Sequence, residues 1–172
     1  MGITTYVALL RGINVGGIRI KMPDLKRCFE DAGCRDVRTY LQTGNVVFTG
    51  DGASAPTKAA LERALTDTFR YEAYVLLYER SILKNVITGY PFERDEEHHA
   101  YVVFVDDDEV LREIAGLSAE LDEPLRVGPG LIYWKAAKGQ TLGTPFSKLT
   151  AKPRYKKCTT TRNLNTLELM AD

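Results

Sequence analysis

The chain has 172 residues, of which 44% are hydrophobic and 27% charged, and its 23 basic residues balance 23 acidic ones. That length allows one domain or two small packed halves, and the composition is that of a globular chain rather than a disordered or fibrous one. No apolar run approaches a membrane span and the first ten residues lack the basic region and cleavage site of a signal peptide, so no membrane partner is expected and the expected location is the cytoplasm.

In chain order, residues 4–11 are a short apolar run that reads as a buried strand. Residues 11–21, R-G-I-N-V-G-G-I-R-I-K, form a glycine-rich connection. Met22-Pro-Asp-Leu then opens a helix, with Pro23 in the first turn, where its missing N–H costs nothing. Leu25, Cys28, Phe29 and Ala32 fall on one stripe of that helix, and Gly33 ends it. Residues 36–42 alternate, with Val37, Thr39 and Leu41 on one face. Residues 45–49 follow after Thr43-Gly44, so the two runs read as a hairpin. Residues 58–72 have the spacing of an amphipathic helix and residues 73–78 that of another apolar strand. Strand, helix, strand, strand, helix, strand is the split βαβ order of a ferredoxin-like domain. Right-handed crossovers then leave a four-stranded antiparallel sheet.

Residues 81–89 predict a short helix, and residues 90–97 a linker. The pattern then starts again. Residues 100–105, A-Y-V-V-F-V, echo T-Y-V-A-L-L at residues 5–10. A helix follows, marked by Val110, Leu111, Ile114, Leu117 and Leu121, and then a second hairpin around Gly128-Pro129-Gly130. A basic segment with Pro145 and Pro153 comes next. The last element, residues 161–171, has Leu164, Leu167 and Met170 at helical spacing. The expected fold class is therefore α+β: two tandem ferredoxin-like (βαββαβ-type) halves with mainly antiparallel sheets, from internal duplication, spanning residues 1–92 and 98–172.

Three cysteines, Cys28, Cys34 and Cys158, with no C-x-x-C pair, speak against a disulfide framework or a zinc site, and Cys28 reads as core. Charge is uneven along the chain. Residues 93–123 hold twelve acidic side chains and two basic ones, whereas residues 135–162 hold eight basic and no acidic ones. Such asymmetry steers an anionic partner or pairs two surfaces of a dimer, although a merely solvated surface produces it too.

Three stretches carry candidate chemistry. In residues 11–21, Gly12, Gly16 and Gly17 free the backbone to present N–H groups, while Arg11, Arg19 and Lys21 match phosphate or carboxylate. Gly12 and Gly17 have Walker A spacing, but Ile18-Arg19 stands where that loop needs Lys-Ser/Thr. At the hairpin end, Gln42, Thr43 and Asn45 offer donors and acceptors, or simply make the turn. In C-T-T-T-R-N-L-N-T, Thr160 or Thr161 is expected to cap the final helix. Arg162 and Asn163 in its first turn would then complete an anion site with the free N–H groups. Asn14 and Asn45 are expected to share one pocket with Arg162.

Other stretches have simpler readings. Asp106-Asp-Asp-Glu109 is a divalent-metal candidate whose ordinary role is to cap a helix. His98-His99 is a weak metal candidate, because neighbours on an extended segment point opposite ways. Trp134 beside Tyr133 and Lys135 suits an RNA-binding sheet or, more simply, a core. No metal site, cofactor or nucleophile–base set is expected.

Four segments, Y-V-A-L-L-R-G-I-N-V-G-G, K-M-P-D-L, R-T-Y-L-Q-T-G-N-V-V-F and T-T-T-R-N-L-N-T, together resemble a bacterial family of conserved uncharacterised proteins, domain-of-unknown-function family 1697. The resemblance spans nearly the whole chain, with Leu164 departing from an expected tryptophan. It implies an α+β fold of two ferredoxin-like halves and no established activity. It also marks Arg11, Gly12, Asn14, Gly16, Gly17, Gln42, Gly44, Asn45, Thr161, Arg162 and Asn163 as signature positions. The functional expectation is a binding module for a phosphate-bearing small molecule, nucleotide or nucleic acid. The alternatives are an enzyme using the same pocket and an interaction protein that forms a homodimer.

Overall fold

A computed structural model of the chain describes residues 2–14 and 18–172. Two compact units divide it: Met1–Lys84 with Leu169–Asp172, and Asn85–Glu168. The described residues form an α+β fold with two four-stranded antiparallel sheets and seven α-helices.

In the first unit, β1 (Ile3–Leu10) leads through the glycine-rich connection to α1 (Met22–Asp31). The hairpin strands β2 (Arg35–Tyr40) and β3 (Asn45–Asp51) follow, then α2 (Lys58–Phe69) and β4 (Val75–Glu79). The strand order is β2-β3-β1-β4. β1 is central because V-A-L-L is apolar at every position. Its Val7, Ala8 and Leu9 are fully buried, so both faces of the strand are covered. One face carries Ala8, Leu10, Val46 and Phe48, against which α1 sets Leu25, Cys28 and Phe29 and α2 sets Leu61 and Leu65. Phe48 lies between Tyr6 and Phe29, with ring centroids 5.3 and 5.9 Å away. Thr57 caps α2 by accepting from Ala60 N, and Arg70 closes that helix in the left-handed conformation.

The hairpin turn differs from the alternation read in the sequence. Leu41 does not continue the face of Val37 and Thr39. It has φ 58° and is exposed, so β2 ends at Tyr40 and residues 41–44 make the connection. An apolar side chain leaves the sheet there because the chain must reverse before Asn45, which pairs with Tyr40.

In the second unit, β5 (His98–Val105) leads to α4 (Asp108–Ser118), then to the hairpin β6 (Leu125–Gly128) and β7 (Leu131–Ala137). Two short helices, α5 (Pro145–Thr150) and α6 (Pro153–Lys156), precede β8 (Thr159–Asn163). The strand order is β6-β7-β5-β8. Trp134 is core: its ring packs against Phe146 at 5.0 Å and Tyr101 at 5.4 Å, in a cluster with Val103, Ile114 and Ile132. Two prolines, each opening a helix, hold α5 and α6 as separate elements where the first unit has the single helix α2. The remaining helices, α3 (Ile82–Thr88) and α7 (Leu164–Ala171), follow β4 and β8.

The final element corrects the sequence reading. Residues 159–163 are strand, not the start of a helix; Thr161 pairs with Val103 and Arg162 with Val102. Three successive threonines favour a strand once a partner edge is present, and β5 supplies that edge. The helix begins only at Leu164. Asn163, not Thr160 or Thr161, serves its start by accepting from Asn165 N at 2.9 Å.

Candidate functional site

The glycine-rich connection and the hairpin turn meet in the first unit. Leu10 N donates to Gly44 O at 2.8 Å, tying the end of β1 to the turn. Gly44 has φ +87°, and a Cβ placed on it would lie 2.7 Å from Leu10 Cβ and 3.3 Å from Ile13, so only glycine suits the position. Asn45 is fully buried and donates through Nδ2 to Tyr40 O at 3.0 Å and to Thr43 Oγ1 at 2.9 Å. Asn45 and Thr43 therefore brace the turn from within.

Asn14 is the second brace. It takes a left-handed φ of 55°, which asparagine tolerates better than most residues. Its Nδ2 donates to Ile20 O at 3.1 Å and to Gln42 O at 2.6 Å, and its Oδ1 accepts from Ile20 N at 2.8 Å. Its backbone N–H also reaches Ile18 O at 2.6 Å, closing the loop. The whole amide thus pins the loop to itself and to the hairpin, which leaves it little capacity for a ligand. Gly16 and Gly17 lie outside the described residues. Gln42, Lys21 and Arg19 are exposed, and Lys21 stands at the start of α1 without capping it.

Arg11 sits where β1 runs into this loop. Its backbone N–H donates to Tyr74 O at 3.1 Å, but its side chain is half-buried, and its Nε is buried with no hydrogen-bond partner among the described residues. Burial alone pushes the guanidinium pKa below its ordinary value. A partly desolvated guanidinium with one unpaired N–H attracts an oxyanion, whose bidentate geometry matches the guanidinium fork.

Thr161, Arg162 and Asn163 belong to the second unit. Thr161 is exposed on β8, whereas Arg162 is buried, its Nη1 donating to Thr160 Oγ1 at 2.6 Å and to Thr161 O at 3.0 Å. Asp107 caps α4, accepting from Glu109 N and Val110 N, which gives the acidic run around it a local structural role.

The model of the family described as "Protein of unknown function (DUF1697)" matches residues 3–133. The chain belongs to this family. Its matched span takes in β1, the braced loop, the hairpin turn and most of the second unit's sheet. A conserved bacterial protein from Streptococcus pneumoniae has a similar structure, with a TM-score of 0.79 at 26% sequence identity over 99% of this chain and 97% of that one. No curated protein matches the chain. Among the described residues, no helix is long and apolar enough to cross a membrane.

One arrangement escaped the sequence reading. Asp95 accepts from His98 Nδ1 at 2.8 Å and Lys135 Nζ at 3.0 Å, which together hold its carboxyl well below the usual carboxylate range. The i,i+3 spacing of Asp95 and His98 was its only local signal, and Lys135 is forty residues away in the chain.

Proposed function

We propose that the chain is a binding module for an anionic, phosphate-bearing ligand, anchored by Arg11 at the glycine loop of the first unit. The observation that carries this reading is the half-buried Arg11 guanidinium, whose Nε has no partner among the described residues. Leaving a buried polar group unfilled is costly, and a ligand oxygen removes that cost. Gln42 and Lys21, exposed on the two segments that Asn14 and the Leu10–Gly44 bond hold together, are available to extend the contact. Asn14, Thr43, Gly44 and Asn45 act in this reading as the frame of the site. Arg162 is not required, because its guanidinium already serves Thr160 and Thr161.

The fold belongs to the same proposal. Two ferredoxin-like halves derived from one ancestral unit are supported by the equivalent orders β2-β3-β1-β4 and β6-β7-β5-β8. Duplication followed by divergence explains why one copy has R-G-I-N-V-G-G after its first strand and the other D-D-D-E.

Isothermal titration of the full chain with inorganic pyrophosphate, a nucleoside diphosphate and a short RNA at low ionic strength tests the reading. Saturable binding that falls at least about tenfold in Arg11→Gln supports it, that being the size expected for a desolvated charge-assisted contact. An affinity that declines steeply with salt for RNA alone assigns the site to nucleic acid. Binding of equal strength in Arg11→Gln, or no binding of any of the three, overturns it.

A further inference from the structure

A second polar site lies wholly within the second unit and does not depend on Arg11. A cleft of about 110 Å³ opens at the end of the sheet where β5 begins and β7 and β8 end. Arg94 and His98 line it before and at the start of β5, Lys138 just after β7, and Asn163 and Asn165 where β8 passes into α7. His99 and Asp95 complete the wall. The antiparallel register brings these positions together: His98 pairs with Ala137, Tyr101 pairs with Asn163, and Lys138 N donates to Glu97 O at 3.0 Å.

The balance of donors and acceptors decides what such a cleft takes. Its acceptors are already engaged. Asp95 Oδ1 accepts from Glu97 N and His98 Nδ1, and Oδ2 from Lys135 Nζ. Asn163 Oδ1 accepts from Asn165 N, and Asn165 Oδ1 from Arg94. Its donors are largely unengaged. Arg94 uses one terminal nitrogen, on Asn165 and on Glu168 at 3.0 Å, and its other N–H groups make no hydrogen bond among the described residues. Lys138 has no acidic partner and neither ring nitrogen of His99 has a hydrogen bond among the described residues; the His99 ring rests on Tyr101 at 5.2 Å. Charge points the same way: of the charged side chains that line the cleft, Arg94 and Lys138 are cationic and Asp95 alone is acidic. A site with spare donors, occupied acceptors and a surplus positive charge suits a group that only accepts. The volume lies below the ~300–1,000 Å³ of sites for drug-sized ligands, so the group is small.

We infer that this cleft is a binding site for a small oxyanion, a phosphate or carboxylate group held by Arg94, Lys138, His99 and the two asparagine amides.

The chain has two histidines, and both line this cleft, so their imidazole resonances report on it and on no other place in the protein. Titrating the full chain with inorganic phosphate, methyl phosphate or acetate at constant ionic strength, with chloride as control, reads occupancy directly. The expected result is a saturable shift of the His98 and His99 signals with at least one of the three anions, absent with chloride. The anion that binds tightest assigns the source as free phosphate, phosphate ester or carboxylate. Lys138→Gln weakens that binding roughly three- to tenfold, as one partly exposed charge-assisted contact should, and Lys138→Arg restores it. Arg11→Gln leaves the shifts unchanged, which separates this site from the one at the glycine loop. Imidazole signals that move equally with chloride, or anion binding that is indifferent to Lys138→Gln and to Arg94→Gln, overturns the assignment.

Discussion

Gly44 offers a quantitative test of how the loop and the hairpin turn are joined. Gly44→Ala combines two costs. The left-handed φ of +87° costs an L-residue about 1–2 kcal/mol. The new methyl then meets Leu10 Cβ at 2.7 Å, and that atom is fixed to the backbone of β1 and has no rotamer by which to move away. Overpacking of this kind costs about 1–3 kcal/mol. Gly12, in the glycine-rich connection that the turn meets, is the control: its φ is +73°, but a Cβ there meets nothing within 4 Å among the described residues. Gly12→Ala should therefore lose only the first term, and Gly44→Ala both, roughly 2–5 kcal/mol in all. Urea unfolding followed by far-UV circular dichroism measures the difference. With a slope of ~2 kcal/mol per molar, a loss of ~3 kcal/mol moves the midpoint by ~1.5 M. The reasoning fails if the two variants unfold within about 0.5 kcal/mol of each other, since the close approach of the turn to β1 would then carry no energy.

Asn14→Ala removes two donated bonds and one accepted bond and leaves a left-handed backbone without its asparagine. It should lose about 2–4 kcal/mol and, more tellingly, the hydrogen-exchange protection of the Ile20 amide. Retained protection at Ile20 would show that the side chain is not the brace. Arg11→Met withdraws a half-buried cation that has no acidic partner among the described residues, so stability should hold or rise by up to about 1 kcal/mol while anion binding at the glycine loop disappears. A clear loss of stability would mean that Arg11 is structural. Thiol labelling at pH 8 should modify Cys158 first, because burial raises the pKa of both other thiols and pushes Cys34 up to about 12. Rapid labelling of Cys34 in the native state would contradict its burial. The Asp95 carboxyl, lowered by His98 and then Lys135, should titrate by carbon NMR below the ordinary aspartate range. Its contribution to stability is then full above the unfolded aspartate pKa and is lost as pH falls through the lowered folded value. An ordinary midpoint, unchanged in Lys135→Gln, would remove the pair from the account.

Elements whose signal is local were legible in the chain. Leu25, Cys28 and Phe29 share a stripe because 3.6-residue periodicity is written in the sequence itself, and the hairpin around Gly44-Asn45 announces itself by turn residues. Elements decided by distant partners were not. Thr159–Asn163 contains residues equally suited to capping a helix or extending a strand, and the choice rests with β5, more than fifty residues earlier. Asn14 stands out among the glycines of its loop, but the partners of its amide are all backbone groups of Ile20 and Gln42, which no side-chain pattern reveals. His98 and His99 suggest metal ligands in the sequence because they stand beside acids. Lys138 and Asn163, which make the neighbourhood donor-rich, come from the far ends of other strands.

The central position of β1 has a consequence for synthesis. The strand leaves the ribosome ahead of both its sheet neighbours, since β3 and β4 begin only at Asn45 and Val75. At ~5–20 residues per second, a fully apolar V-A-L-L segment travels without its first sheet partner for roughly 2–7 s, and one edge stays open for longer. A shorter delay recurs when β5 emerges ahead of β7 and β8. A nascent chain built this way presents its stickiest strand twice during translation, so its yield in a cell should depend on holdase chaperones that shield Val7–Leu10 and Val102–Val105 until the hairpins arrive.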